Sequence, residues 1–402
     1  MSLFACPECG HDVSTKALHC PNCGAPVQQA HGVTRDAATA ITALGGTVSP
    51  PGAQPGLPDA PGLPRPLPRP ARMGVPNPFW NAKERRLRAG WRIAITACAL
   101  FLVLVLMALF RLMPAARPAG ATVPATAGAH DLAWLFQMGM LALVATAIAL
   151  WVPGRKLDRR PFAGYGLQLS RQWWRDLGLG LALGAALMAA VFLFEGSAGW
   201  VELGRGAPPA QAAYGVVGAL LAGLAVCTLL SVAGLLLLDG WLLQNLAEGL
   251  RGLLPRGRSA IVAAWLLSSL LAGYLEHSAP HASALSNLVT VMVQLLLGLG
   301  YILAGQLGLP IGMSIAWGFL EGPVFGLPYD GENGFSALLV TRQTGPVLWT
   351  GGAFGPEGGL VTVVAVLVFA AVLAWLARAR YGKLALRADL SDAPTQPSAG
   401  GR

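Results

Sequence analysis

Four cysteines carry the most specific chemistry in this chain. Cys6 and Cys9 stand in Cys-Pro-Glu-Cys-Gly, and Cys20 and Cys23 in Cys-Pro-Asn-Cys-Gly. Two Cys-x-x-Cys knuckles separated by ten residues can offer four thiolates to one Zn2+ in a tetrahedron, and the glycine after each knuckle permits the tight turn around the metal. With sulfur in all four positions no coordination site stays open, so the zinc is expected to be structural. Paired knuckles argue against a lone redox dithiol, and a cytoplasmic setting argues against disulfides. His11 and His19 then read as exposed residues rather than ligands. A segment this short cannot fold on a hydrophobic core, so metal binding and folding should be one event. The pattern resembles a short zinc ribbon.

Elsewhere the chemical candidates are sparse. His277 and His281 are four residues apart, a ligand spacing on a helix, but Pro280 interrupts that face. They are expected in a polar turn at the end of an apolar run, with a makeshift metal site as the alternative. Asp239 and Glu248 read as interfacial charges near Arg251. Gln294 and Gln306 are isolated polar residues in apolar runs, suited to hydrogen bonds between helices. Cys98 and Cys227, also in apolar runs, read as packing residues. The glycines around Gly351 and Gly358 lack the lysine and context of a phosphate loop.

The elements that must position these groups are hydrophobic helices. With 54% hydrophobic and 12% charged residues in 402, the chain falls in the polytopic membrane class. A bilayer core needs roughly 20 apolar residues per helix. About eight such runs lie near 93–113, 132–152, 177–196, 214–238, 260–275, 287–307, 309–327 and 360–377. The seventh contains Pro310, Gly312, Gly318, Gly322 and Pro323 and is expected to be broken. No signal peptide is expected, because the first apolar run begins far from residue 1. Basic residues flank alternate ends of these runs: Arg86, Arg88 and Arg92, then Arg155 to Arg175, then Arg251 to Arg258, then Arg378 to Arg387. Eight spans would put all four groups, and both termini, in the cytoplasm. The net charge of +9 is thus topology signal and attraction to anionic lipid, with no basic face suited to nucleic acid.

The expected organisation is a zinc ribbon over 1–26, a Pro/Ala/Gly-rich disordered linker over 27–80, two N-terminal transmembrane helices over 81–155, a membrane core over 156–385 and a disordered tail over 386–402. Proline runs such as Pro64-Arg65-Pro66-Leu67-Pro68-Arg69-Pro70 favour an extended spacer. No internal repeat is visible.

The core resembles the CPBP family of membranes, the CAAX proteases and bacteriocin-processing enzymes. The segment Gly240-Trp241-Leu242-Leu243-Gln244-Asn245-Leu246-Ala247-Glu248-Gly249 keeps the scaffold of that family's first motif. Tyr165 to Arg175, Leu309 to Phe319, Glu321 to Pro328 and Trp349 to Gly359 resemble its other phrases, over roughly residues 160–378. The resemblance implies an activating glutamate in a first motif and polar residues four apart in two more, all facing one cavity. Here the glutamate pair is replaced by Gly234 and Leu235, and the motif's arginine by Asp239. The second motif falls at Ala272 and Glu276, and the third at Ser314 and Gly318. No Glu-Glu pair occurs anywhere, and no histidine follows His281.

The expectation is therefore an all-α polytopic membrane protein with a CPBP-like core and an N-terminal zinc ribbon, in the cytoplasmic membrane. It would be catalytically degenerate. It would hold a membrane or lipidated protein partner in the old substrate cavity, with the ribbon open to a cytoplasmic protein partner. The alternative is an active endopeptidase of the CAAX-processing type, working through Asp239, Glu276 and His277. A small-molecule carrier is the third possibility, without inverted repeats or paired intramembrane charges to support it.

Overall fold

In hydrocarbon a chain must satisfy its own backbone hydrogen bonds, and for long apolar runs the α-helix does so locally. The computed structural model describes residues 3–5, 12–14, 79–81, 86–112, 127–153, 158, 160, 162–254, 257–277, 279–331, 336–381, 386–387 and 390. The chain divides into two units, Met1–Gly74 and Val75–Arg402.

In the first unit, β1 (Leu3–Ala5) and β2 (Asp12–Ser14) pair antiparallel, with Phe4 opposite Val13. The hairpin brackets the first knuckle. Cys6, Cys9, Cys20 and Cys23 lie outside the described residues, as does almost all of the proposed linker and tail.

The second unit is helical. Its long helices are α1 (Ala89–Leu112), α2 (Ala127–Pro153), α3 (Arg171–Ser197) and α4 (Pro209–Leu235). A π-helical stretch, Leu236–Leu242, joins α4 to α5 (Leu243–Leu250). Then follow α6 (Gly257–Glu276), α7 (Ala284–Ala304), α8 (Gly308–Phe319) and α9 (Leu360–Tyr381). Two short strands, β5 (Val201–Leu203) and β6 (Thr341–Gln343), pair antiparallel outside the helices; β3 (Trp80–Asn81) and β4 (Arg86–Leu87) do the same before α1.

Among the described residues, five helices are long and apolar enough to cross a membrane: Arg171–Ser197, Tyr214–Leu250, Gly257–Glu276, Ala284–Ala304 and Leu360–Ala379. Of the other three runs expected from the sequence, α1 and α2 contain the shorter apolar stretches Ala89–Leu102 and Leu135–Ile148. The seventh is α8, 12 residues long, about 18 Å at 1.5 Å per residue and too short to cross alone. Pro323 ends it within a π turn, Leu320–Val324, as its breakers imply.

α8 is instead packed along α3 at backbone contact. A Cβ added at Gly180 or Gly184 of α3 would stand 2.2 or 2.5 Å from the carbonyl oxygens of Leu309 and Met313. One added at Gly308 or Gly312 of α8 would stand 2.5 or 2.3 Å from those of Trp173 and Leu177. Two small-x-x-x-small pairs, Gly180/Gly184 and Gly308/Gly312, thus face each other, the geometry by which membrane helices gain close van der Waals contact. Ser170 caps the entry to α3 by accepting from the Trp173 amide at 3.2 Å, and the Trp173 indole donates to the Gly166 carbonyl at 3.0 Å.

Candidate functional site

The positions singled out by the CPBP resemblance fall on α4, the π stretch, α6 and α8. Gly234, on α4, has open space where a side chain would begin, while Leu235 is buried in the main core. Ser314 of α8 hydrogen-bonds Ser231 of α4 at 2.8 Å, hydroxyl to hydroxyl. A Cβ at Gly318 would stand 2.9 Å from the Tyr329 ring, so that phenol takes the room a longer residue would need there. Ala272 is buried.

Ser314 opens onto a cavity of about 70 Å³. Its wall includes Gly184, Met313, Ser314, Trp317, Tyr329 and Glu357, so most of it is apolar with few polar groups. At that volume it can take a small side chain but falls below the several hundred Å³ usual for a ligand site.

An acidic cluster adjoins this cavity. Glu321, in the π turn after α8, is completely buried, and neither of its oxygens has a hydrogen-bond partner among the described residues. Glu357 lies in a one-turn 3-10 helix, Pro356–Gly358, and interacts with Asp330 as well as Glu321. Burial, and then the charge of Glu321, hold the Glu357 carboxyl well above the usual carboxylate range. Glu276, at the end of α6, feels the charge of Asp330. Sequence reasoning passed over Glu321 and Glu357, although an acid set in the apolar run Trp317-Gly318-Phe319-Leu320-Glu321 is itself a signal.

Asp239 is not an exposed charge. It is completely buried, takes a 2.6 Å hydrogen bond from Gln294 of α7, and its other oxygen has no partner. Gln294 therefore acts as an interhelical donor, as does Gln306, which donates to Asp176 at 2.6 Å.

Glu248 is not an exposed charge either, because it belongs to a buried polar hub. Arg86 and Arg92 pair with it at 3.0 and 2.6 Å, and Arg160 pairs with it as well. Beside it, Asp158 is completely buried and accepts from the Arg92 guanidinium at 2.8 Å, the Tyr165 hydroxyl at 2.9 Å, the Trp241 indole at 2.8 Å and Asn245 at 3.2 Å. Gln244 donates to Tyr301 and to the Gly164 carbonyl. Trp241, Gln244, Asn245 and Glu248, on which the first-motif resemblance rests, all take part in this buried network. Desolvation, with the charge of Asp158, pushes the Tyr165 phenol well above its ordinary value. Three of the arginines read as topology signals are packed inside the protein. Their partners are far apart in sequence, so no spacing rule could pair them.

The two histidines do not form a helical ligand pair. α6 stops at Glu276, His281 has a left-handed backbone (φ 59°), and His277 is hydrogen-bonded to Asn287 at 3.3 Å. No group of three or more His, Cys, Asp or Glu suited to a metal occurs among the described residues. Cys227 is buried, as a packing residue should be, but Cys98 is exposed on the outer face of α1.

For zinc, the donor set is four thiolates in two knuckles, which fits the metal, and the β1–β2 hairpin returns the chain at the first of them. A family model described as a zinc-ribbon domain matches residues 2–27. The match ends there, so it bears on the ribbon alone. No curated protein and no solved structure matches the chain.

Proposed function

We propose that this chain is a multi-pass protein of the cytoplasmic membrane, similar in scaffold to the CPBP intramembrane proteases but without their chemistry. In this reading the membrane domain binds a membrane or lipidated protein partner in the cavity beside Ser314. The zinc ribbon, on the cytoplasmic side with both termini, receives a second, cytoplasmic protein. The observation that carries the reading is the cavity itself. It opens at a third-motif position, Ser314, whose hydroxyl is engaged by Ser231. Of the other motif positions, Gly234, Leu235, Ala272 and Gly318 carry no group able to activate water, which leaves only the carboxylates of Asp239 and Glu276.

The runner-up, an endopeptidase using Asp239, Glu276 and His277, finds less support. Asp239 accepts from Gln294 and His277 is hydrogen-bonded to Asn287, while Glu276 feels the charge of Asp330. Nothing in those contacts joins them into one acid–base set.

A photo-crosslinking residue at Met313, on the cavity wall, tests both readings in membranes expressing the full chain. An adduct to an intact membrane protein is expected. New protein termini that appear with the wild type and vanish in a deletion strain would instead establish a protease.

A further inference from the structure

The last turn of α5 rests on the first turn of α1. A Cβ added at Gly249 would stand 3.1 Å from the Ala89 Cβ, so glycine lets the two helix ends close on each other. Beside that contact opens a second cavity, of about 820 Å³, well within the size of sites that take a ligand.

Its wall carries three guanidiniums, those of Arg88, Arg92 and Arg251, and a single carboxylate, Glu248. Glu248 is already met by Arg86 and Arg92 at 3.0 and 2.6 Å and by Arg160, and Asp158 is met by Arg92 at 2.8 Å. Those two acids are committed to the buried hub, while Arg88 and Arg251 stand exposed at the cavity. Five guanidiniums thus gather about two carboxylates among the described residues, and the site is electropositive. The Arg92 Nε, buried on the same wall, has no hydrogen-bond partner among the described residues. It is an unmet donor that a bound oxygen would satisfy.

The rest of the wall is apolar and open. Trp91 and Leu253 are 42% and 81% exposed. Trp91 stacks on Phe79 with ring centroids 4.8 Å apart, and Phe79 and Trp80 are themselves exposed. Tryptophan beside arginine at the ends of apolar helices is the composition of a headgroup layer. A soluble anion would not need that apolar surface.

We propose that this cavity binds an anionic phospholipid. Arg88 and Arg251 hold its phosphate oxygens, which guanidinium forks fit in bidentate fashion. Trp91 and Leu253 lie against its glycerol and first acyl carbons. Bound there, the lipid bridges the start of α1 and the end of α5, and its negative charge offsets the arginine excess. The site shares no residue with the cavity beside Ser314, so it stands whatever that cavity receives.

Native mass spectrometry tests the proposal on the full chain, delipidated in detergent and titrated with phosphatidylglycerol, phosphatidylcholine or inorganic phosphate. One phosphatidylglycerol should bind saturably, about tenfold tighter than phosphatidylcholine. Arg88→Gln and Arg251→Gln should each weaken it about fivefold, the weight of one basic residue near an anionic surface. Gly90→Leu should block it with every charge kept, because Gly90 lines the cavity and has open space where a side chain would begin. Arg378→Gln, at an exposed arginine outside the cavity, should bind as wild type does. Equal affinity for the two lipids, or unchanged binding in Gly90→Leu, would overturn the proposal. Displacement of the lipid by millimolar inorganic phosphate would mean a soluble-anion site, and an equal loss in Arg378→Gln would mean diffuse surface charge; either overturns it too. The comparison of the two lipids on wild type needs no variant, so a misfolded substitution leaves the test intact.

Discussion

At the scale of single residues, the strongest constraint is Asp158. It gathers four donors from three stretches of chain, and one of them, Arg92, also serves Glu248. Asp158→Ala should cost about 3–5 kcal/mol, the usual penalty for stranding a buried charge, read as a fall in Tm of the detergent-solubilised protein. Tyr165→Phe removes one of those four hydrogen bonds and should cost about 1 kcal/mol. Equal effects from the two would mean that the hub is not organised by the acid. A lone aspartate beside Arg155, Lys156, Arg159 and Arg160 looks like part of a charged loop. Nothing near it in sequence tells of Trp241 and Asn245, because those contacts exist only after the helices pack.

At the scale of elements, α3 and α8 owe their backbone contact to glycine. Gly180→Ala and Gly312→Ala would bring a methyl to 2.2 and 2.3 Å from the carbonyls of Leu309 and Leu177, so the helices must separate. Gly178, two residues from Gly180 on the same helix, has nothing within 4 Å. Gly178→Ala should therefore leave Tm unchanged or raise it, since alanine in a helix gains up to about 1 kcal/mol over glycine. A clear fall in Tm for Gly180→Ala beside no fall for Gly178→Ala is the expected outcome, and similar behaviour of the two would refute the contact. The glycine spacing was present in the sequence as Gly180-x-x-x-Gly184 and Gly308-x-x-x-Gly312. A chain this rich in glycine offers many such pairs, and only packing selects the two that meet. The break at Pro323 was legible in advance, because a proline and two glycines in five residues cannot continue a helix.

For the whole molecule, the ribbon and the membrane domain should be separable by experiment. Cys9→Ser should reduce zinc bound to the purified full chain from about one per chain to near none, while membrane insertion and Tm of the helical domain stay as in wild type. Loss of insertion in that variant would contradict independent folding. Reporter fusions after Arg88, Arg155 and Arg378 should all report the cytoplasmic side if the basic flanks set orientation; a single opposite signal would revise the topology. The sequence by itself determined the membrane class, the helical content and the zinc-ribbon match. Each follows from local facts: the length of apolar runs and the spacing of cysteines. Only the tertiary structure decided that Arg86, Arg92 and Arg160 are internal ion-pair partners and that α8, 12 residues long, packs along α3 at backbone contact. Those outcomes join residues tens to more than a hundred positions apart, and chain spacing carries no record of which distant side chains will share one desolvated pocket.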